Sequence, residues 1–457
     1  MKKIYINKKA FVRMFFLIML YLCGVSRTTA FQLSVYGDSS VLSEGKWVKI
    51  SVPKSGVYLI TNEDLKKWGF PDPLKVNVYG YGAQRLPDVL QASRYIDDLP
   101  VVQSKKISRG VVFYAQGPES WERTNGRFRH SINPFTTEGY YFISDRELDT
   151  ECVIPENGVD SDFSNVVNSF EECIYHEIDK INEGETGHLM LGEDFKYNPS
   201  QSFHFKLTDI VNEEDVWMEC QFAAKTLNSS SKLSFAVNGE VLPSQSLDNI
   251  PSSTTSAYTH GKLTTTNHNF KISGDEIILG IKHISSVTVV MAHLDYICLN
   301  YIRKLKMHNG VLSFRSSDPQ MLLNGATQAT HVWDVTKPLE ISSLKTVISG
   351  GDAKWHNEYS GLRNYVAWAE DANIPSPKFV ENIANQNLHG IEVPNMVIFT
   401  NAAWKSEAER IAELHRNSAD SLKVAVVVQD NVFNEFSSGS PDANAFRMML
   451  KMLWDRS

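Results

Sequence analysis

Val393-Pro394-Asn395-Met396-Val397-Ile398-Phe399-Thr400 is a mostly continuous apolar run, and Leu422 to Val428 is a second one, rich in valine. Between them Trp404, Ala408, Ile411 and Ala412 recur at helical spacing, in a helix reaching about Asn417. Past the second run, Ser440-Pro441-Asp442 supplies a cap, a first-turn proline and a first-turn acid in order, and Phe446, Met449, Leu450, Leu453 and Trp454 share one stripe. Solid apolar strands alternating with helices mark a parallel sheet buried on both faces. Residues 391–457 therefore read as the βαβα opening of an α/β domain. So short a sheet leaves unpaired strand edges and an uncovered face, so the expectation is a portion of something longer.

Upstream of Gly390 the period changes to two. In residues 185–310, Phe203, Phe205 and Leu207 alternate in one strand and Leu233, Phe235 and Val237 in another. Asn238-Gly239 then gives the strongest short hairpin signal. Ile277 to Leu279, Val287 to Met291 and Leu294 to Tyr301 follow as further strands, and Pro251 to His260 reads as a surface loop. This spacing predicts a two-sheet, jelly-roll-like sandwich. Residues 31–184 read as a β-rich amino-terminal domain: Trp47 to Val52 and Val57 to Ile60 as a hairpin, a short helix from Glu63 to Trp68 capped by Thr61 or Asn62, and strands at 75–80, 111–114 and 140–143. Residues 311–390 are left as a lead-in segment. The fold expected is thus multidomain and mainly β, closing on the start of an α/β domain.

The chain has 457 residues, of which 42% are hydrophobic and 21% charged, an ordinary globular mixture. Lys2, Lys3, Lys8, Lys9 and Arg13 precede an apolar run of 12 residues, Met14 to Val25, and small residues lead to Phe31. That is the pattern of a secretory signal peptide over residues 1–30, and the run is well short of the ~20 residues of a membrane-spanning helix. With those 30 residues go six basic groups and no acidic ones, so the net charge falls from −8 to −14, 39 basic against 53 acidic. Such a balance excludes a phosphate-backbone partner and makes nucleic acid no part of the function.

Cys152, Cys173, Cys220 and Cys298 remain, and in an exported chain they allow three disulfide connectivities. Cys152 and Cys173 bracket a polar stretch that would make a closed loop, whereas Cys220 and Cys298 lie in alternating strands and read as small buried hydrophobes. None has C-x-x-C spacing.

Several segments carry a family likeness. Gly45-Lys46-Trp47-Val48-Lys49-Ile50-Ser51-Val52, Ser55-Gly56-Val57-Tyr58, Phe113-Tyr114-Ala115-Gln116-Gly117-Pro118, Tyr140-Tyr141-Phe142-Ile143, Leu294-Asp295-Tyr296-Ile297, Leu312-Ser313-Phe314-Arg315 and Trp333-Asp334-Val335-Thr336 follow one another in an order that resembles the type IX secretion system sortases, a family of gingipain-like cysteine peptidases. The likeness extends through Val393 to Thr400, Ala408 to His415 and Phe433-Asn434-Glu435-Phe436-Ser437-Ser438-Gly439, which resemble the start of a gingipain catalytic domain. The resemblance implies a caspase-like domain with a Cys–His dyad, in which imidazole takes the thiol proton and backbone amides hold the oxyanion. By that comparison both dyad members fall after Ser457, so no catalytic residue is assigned and this chain alone is expected to be inactive. The resemblance further implies removal of carboxy-terminal sorting domains from secreted cargo, an outer-membrane barrel partner, an anionic lipopolysaccharide acceptor and a cell-surface location. It calls for no obligatory cofactor; it allows calcium but names no ligands.

Several single residues admit both a chemical and a blander role. His389-Gly390 has the dipeptide of a catalytic histidine but precedes the first α/β strand, and reads as a loop; no cysteine follows Cys298. His293 and Asp295 alternate onto one strand face without a third ligand, and read as hydrogen-bonded strand residues. Asp334 reads as a turn-fixing acid. Nine Trp and seventeen Tyr allow a sugar-binding face, but aromatics at period two more often form core. Two other functions stay open at this point: a non-enzymatic surface protein binding carbohydrate or a partner protein, and a broad gingipain-like protease.

Overall fold

The computed structural model describes residues 31–148, 152–160, 162–182, 189–251, 261–286, 290–419 and 421–457. The expected signal peptide and all of the 251–260 loop except Pro251 lie outside them. The chain divides into two compact units. One gathers Lys46–Gln84 with Val101–Ile383 and is almost wholly β. The other gathers the chain up to Gly45 with Arg85–Pro100 and Ala384–Ser457.

In the β unit, Trp47–Val52 is buried at every position and lies between Lys378–Ile383 and Gly139–Ser144 in a five-stranded sheet. Gly56–Thr61 does not fold back on Trp47–Val52 as a hairpin. It pairs with Gly110–Ala115 in a separate three-stranded sheet. The reason is burial on both faces: Tyr58 and Ile60 pack with Val48 and Ile50 of the first sheet, while Val57 and Leu59 pack with Trp333, Val366 and Trp368 on the other side. A hairpin would have put these apolar faces in one plane instead of face to face. The helix that follows, α1 (Asn62–Lys67), starts where Thr61 accepts from the Asp64 amide and ends before Gly69, whose φ of 87° suits a residue without Cβ.

Residues 311–369, expected only as a lead-in, build two more layers. Val311–Ser316, Arg363–Ala369 and Thr330–Asp334 share one sheet with Ser342–Leu344 and Glu156–Asn157, and Gln320–Asn324, Asp352–His356 and Val347–Ser349 form another. Phe314 and Tyr365 of the first meet Met321, Leu323 and Trp355 of the second. Four sheets thus stack in succession.

The sandwich is present as expected. Ser169–Glu177, Val290–Lys304 and Val216–Leu227 form one sheet, extended by Lys262–Phe270 and Asn249–Ile250; Ser200–Lys206, Glu276–Ser285, Ser231–Val237 and Glu240–Leu247 form the other. Phe203, Phe222, Phe235, Cys220 and Leu294 fill the space between them. Asn238 and Gly239, at φ 51° and 88°, make the hairpin turn. Val290–Lys304 is one long strand with a bulge: Phe222 opposes Leu294 and Gln221 opposes Tyr296, so Asp295 has no opposite residue. Ala292 and Leu294, then Ile297, Leu299 and Tyr301, therefore point into the core. Tyr296, Cys298 and Asn300 are turned to the outer face, where a two-stranded hairpin, Glu119–Thr124 with Arg127–Ile132, covers them.

In the other unit, Met396–Thr400 and Val424–Val428 run parallel, joined through α2 (Lys405–Arg416). Two further helices follow, α3 (Gln429–Phe436), which the sequence reading missed, and α4 (Ala443–Asp455). The strands are not buried on both faces: Val424 and Val427 are buried, while every position of Met396–Thr400 is only half-buried. α2 seats Ala408 and Ala412 but leaves Ile411 and Leu414 exposed. On α4 the buried stripe is Ala445, Met448, Met449, Met452 and Leu453, with Leu450 and Trp454 exposed. Its cap is Asp442, accepting from the Asn444 amide, rather than Ser440. No helix among the described residues is long and apolar enough to cross a membrane.

Candidate functional site

Three constellations hold the polar side chains with chemical potential. The first surrounds His389, at the start of the α/β portion. Its Nδ1 lies 2.7 Å from Glu435 Oε2 and its Nε2 3.3 Å from Asp97 Oδ1, and its ring stacks on Phe436 at 4.6 Å. Glu435, on α3, also accepts from the Leu388 and His389 amides and from Gln386. Burial opposes the imidazolium, but hydrogen bonds to Asp97 and Glu435 outweigh it and raise the pKa of His389 to about 9. Asp98, desolvated beside them, is raised to about 6. His389 lies in a turn, as expected, and is there a buried, paired cation. With both ring nitrogens committed to carboxylates, it is poorly placed to take a proton from a nucleophile.

A second constellation lies between the 119–132 hairpin and the outer face of the sandwich. Asn300 accepts from the Phe128 amide at 2.7 Å and donates to the Phe128 carbonyl at 3.0 Å, docking the hairpin. Arg129 reaches the fully buried Glu219 at 2.5 Å, and the Tyr296 hydroxyl donates to the same carboxylate at 2.8 Å. His130 pairs with Glu177 and stacks on Tyr175 at 3.8 Å. Beneath it the sulfurs of Cys173 and Cys298 are 3.1 Å apart. The hydrogen bond from Cys173, aided by His130, pulls the Cys298 thiol below the ordinary cysteine range, while that shared proton and burial push Cys173 above it. Burial acts against the His130 cation, yet Cys298 and Glu177 raise its pKa to about 9. A thiol, an imidazole and a carboxylate thus meet, but with the thiol and the imidazole buried beneath the hairpin. Cys298 is not the plain buried hydrophobe expected; Cys220 is, deep in the sandwich core.

The third is a cavity of about 330 Å³ in the layered sheets. Ser55, Tyr114, Gln116, Arg315 and Thr336 line it, drawn from four of the short segments that carry the family likeness. The Arg315 guanidinium stacks 4.3 Å over Trp121, and no carboxylate among the described residues stands within ion-pairing distance of it. Asp334, close in sequence, is structural as expected: it accepts from the Thr336 amide at 3.0 Å and from Asn357 and Arg363. His293 and Asp295 are both buried and flank Leu294, which faces the core; the bulge breaks the alternation only after Asp295. Among the described residues no group of three acidic, histidine or cysteine side chains is placed to hold a metal ion. Sequence reasoning missed His130 and Glu177 altogether, because only strand pairing brings them beside Cys298.

Residues 391–457 match the family model of peptidase family C25. Over 92% of its length the chain superposes on the crystal structure of dimeric latent PorU from Porphyromonas gingivalis, with 28% identity and a TM-score of 0.83. This chain is built like PorU. The expected likeness to a type IX secretion sortase with a gingipain-type segment is borne out by both matches. The chain spans 40% of the length of that PorU chain. Two other solved structures share only local likeness: the carbohydrate-binding module CBM36 in complex with calcium and xylotriose, at 10% identity over 29% of this chain and 99% of its own with a TM-score of 0.18, and the insecticidal delta-endotoxin Cry8Ea1 of Bacillus thuringiensis, at 12% over 49% and 41% with 0.22. Among proteins of curated function none matches the sequence.

Proposed function

We propose that this chain is the amino-terminal portion of a type IX secretion sortase of the PorU kind. The whole enzyme would be a cysteine endopeptidase that removes carboxy-terminal sorting domains from exported cargo and joins the cargo to an anionic lipopolysaccharide at the cell surface. The superposition on PorU across 92% of the chain carries this reading, with the C25 match where the α/β sheet opens. In this reading the stacked sheets and the sandwich hold cargo or dock an outer-membrane barrel partner, and the Arg315 cavity is the part of that surface fitted to a polar, extended segment. No cysteine follows Cys298, so the α/β portion in this chain holds no thiol nucleophile, and no obligatory cofactor is called for.

Two measurements test the reading. In the source bacterium, deletion of the gene should leave exported cargo still carrying its sorting domain; normally trimmed cargo would refute it. The purified chain alone should cleave no cargo peptide, and cleavage abolished by a thiol-alkylating reagent would contradict the empty-site part of the proposal.

A further inference from the structure

Of the three disulfide connectivities open to the sequence, the fold selects among them. Cys220 points into the core between the two sandwich sheets, while Cys173 and Cys298 lie on the opposite, outer face. Cys152 lies in another part of the unit, beside Trp333 and Ser343 in a cavity of about 440 Å³. Cys173 and Cys298 sit on neighbouring antiparallel strands, where Tyr175 opposes Cys298 and Asn300 opposes Cys173, a diagonal pair. Their sulfurs are 3.1 Å apart. A bond between them requires ~1 Å of closure between the sulfurs.

We propose that Cys173 and Cys298 form a disulfide in the exported protein, clamping Ser169–Glu177 to the bulged strand Val290–Lys304 beneath the 119–132 hairpin. The pair closes a long loop, with a sequence separation of 125, so its constraint falls mainly on the unfolded chain. It also spans a place where the sheet needs help. Ser169–Glu177 is the terminal strand of its sheet, and its partner carries the irregularity at Asp295.

The chemistry balances with a disulfide-bearing thiol oxidoreductase as the oxidant. The Cys298 thiolate attacks one sulfur of the oxidant's disulfide. That bond breaks, a mixed disulfide forms, and one oxidant thiolate leaves and takes up the first proton. Cys173 then gives up its proton and attacks the Cys298 sulfur. The intramolecular bond forms and the second oxidant thiolate leaves, protonated in turn. Two electrons pass from the two cysteines to the oxidant. Both sulfurs are buried under Phe128, to whose carbonyl each lies within 3.6 Å, so the exchange takes place before the hairpin docks.

The test uses the full chain recovered from its exported state, without reductant, denatured in iodoacetamide and digested. The expected result is alkylation at Cys152 and Cys220 only, with the peptides of Cys173 and Cys298 joined and two hydrogens lighter than their sum. Full alkylation at all four sites, or a link from either residue to Cys152 or Cys220, overturns the proposal. In Cys173→Ser, Cys298 should become fully alkylated after denaturation; persistent protection of Cys298 overturns it as well. Should that variant fail to accumulate, the unmodified chain's peptide map decides alone.

Discussion

His389 Nδ1 and Glu435 Oε2 are 2.7 Å apart, and neither side chain reaches water. The pair joins the segment before the first α/β strand to α3, while Asp97 on the other ring nitrogen draws in the Arg85–Pro100 stretch. Removing one partner of a buried pair leaves the other charge uncompensated, which costs about 3–5 kcal/mol. Glu435→Gln should therefore lower the stability of this unit by about 3 kcal/mol or more, measured by thermal or urea unfolding. A change below about 1 kcal/mol would show the pair to be energetically idle.

The same cluster sets a pH dependence. His389 is raised from 6.5 to about 9, so its stabilisation is fully present below pH ~6.5 and is lost as pH climbs through about 9. Asp98, raised by desolvation to about 6, likewise favours the folded state most below its ordinary range and loses that contribution as pH rises through about 6. Unfolding free energy attributable to this unit should decline between pH 6.5 and 9, and His389→Gln should flatten that decline. An unchanged slope in the variant would place the titration elsewhere.

Asn300 docks the hairpin through two hydrogen bonds to one residue, Phe128. Asn300→Ala leaves the buried Phe128 amide unpaired and removes the amide donor from its carbonyl, a loss of about 2 kcal/mol. Hairpin opening should increase roughly thirtyfold, and trypsin should cut at Arg127 and Arg129 correspondingly faster under native conditions. Equal cleavage rates in the two proteins would mean the hairpin is held by other contacts.

Two glycines separate conformational from steric need. At Gly239 an added Cβ meets nothing within 4 Å, so Gly239→Ala pays only for a φ of 88°, about 1 kcal/mol. At Gly139 an added Cβ would lie 2.1 Å from the Gln116 carbonyl oxygen, and the neighbours are backbone. Gly139→Ala should cost about 3 kcal/mol or prevent soluble accumulation. Denaturation midpoints of the two variants should differ in that order, and the reverse order would refute the steric argument.

Arg315 stacks on Trp121 at the wall of the cavity built from the family-like segments. Arg315→Met keeps the stem and the stacking area while removing five donors. Under the proposed function, capture of a sorting-domain cargo by the chain should fall roughly tenfold with the melting temperature little changed. Undiminished capture would refute the proposed role of this cavity.

Much of the local structure is legible in the sequence. The strand Trp47–Val52, the Thr61 cap with its short helix, the Asn238-Gly239 turn, the sandwich alternation and the parallel α/β opening all follow from side-chain period and turn chemistry, which act within a few residues. The role of Asp334 was legible for the same reason, since Thr336 is two residues away. α3 escaped notice because it is only eight residues long and follows the valine run directly, without a capping side chain.

What only the tertiary structure decided are the relationships that span distance. Trp47–Val52 takes a neighbour from Lys378–Ile383 instead of the adjacent Gly56–Thr61, and His130, Cys173 and Cys298 meet although 43 and 125 positions separate them along the chain. A strand's own residues specify that it has two faces. Which partner sheet covers each face, and whether a bulge such as that at Asp295 turns a thiol inward or outward, depends on closing loops of a hundred residues or more against competing pairings, a choice made by the packing of the whole unit.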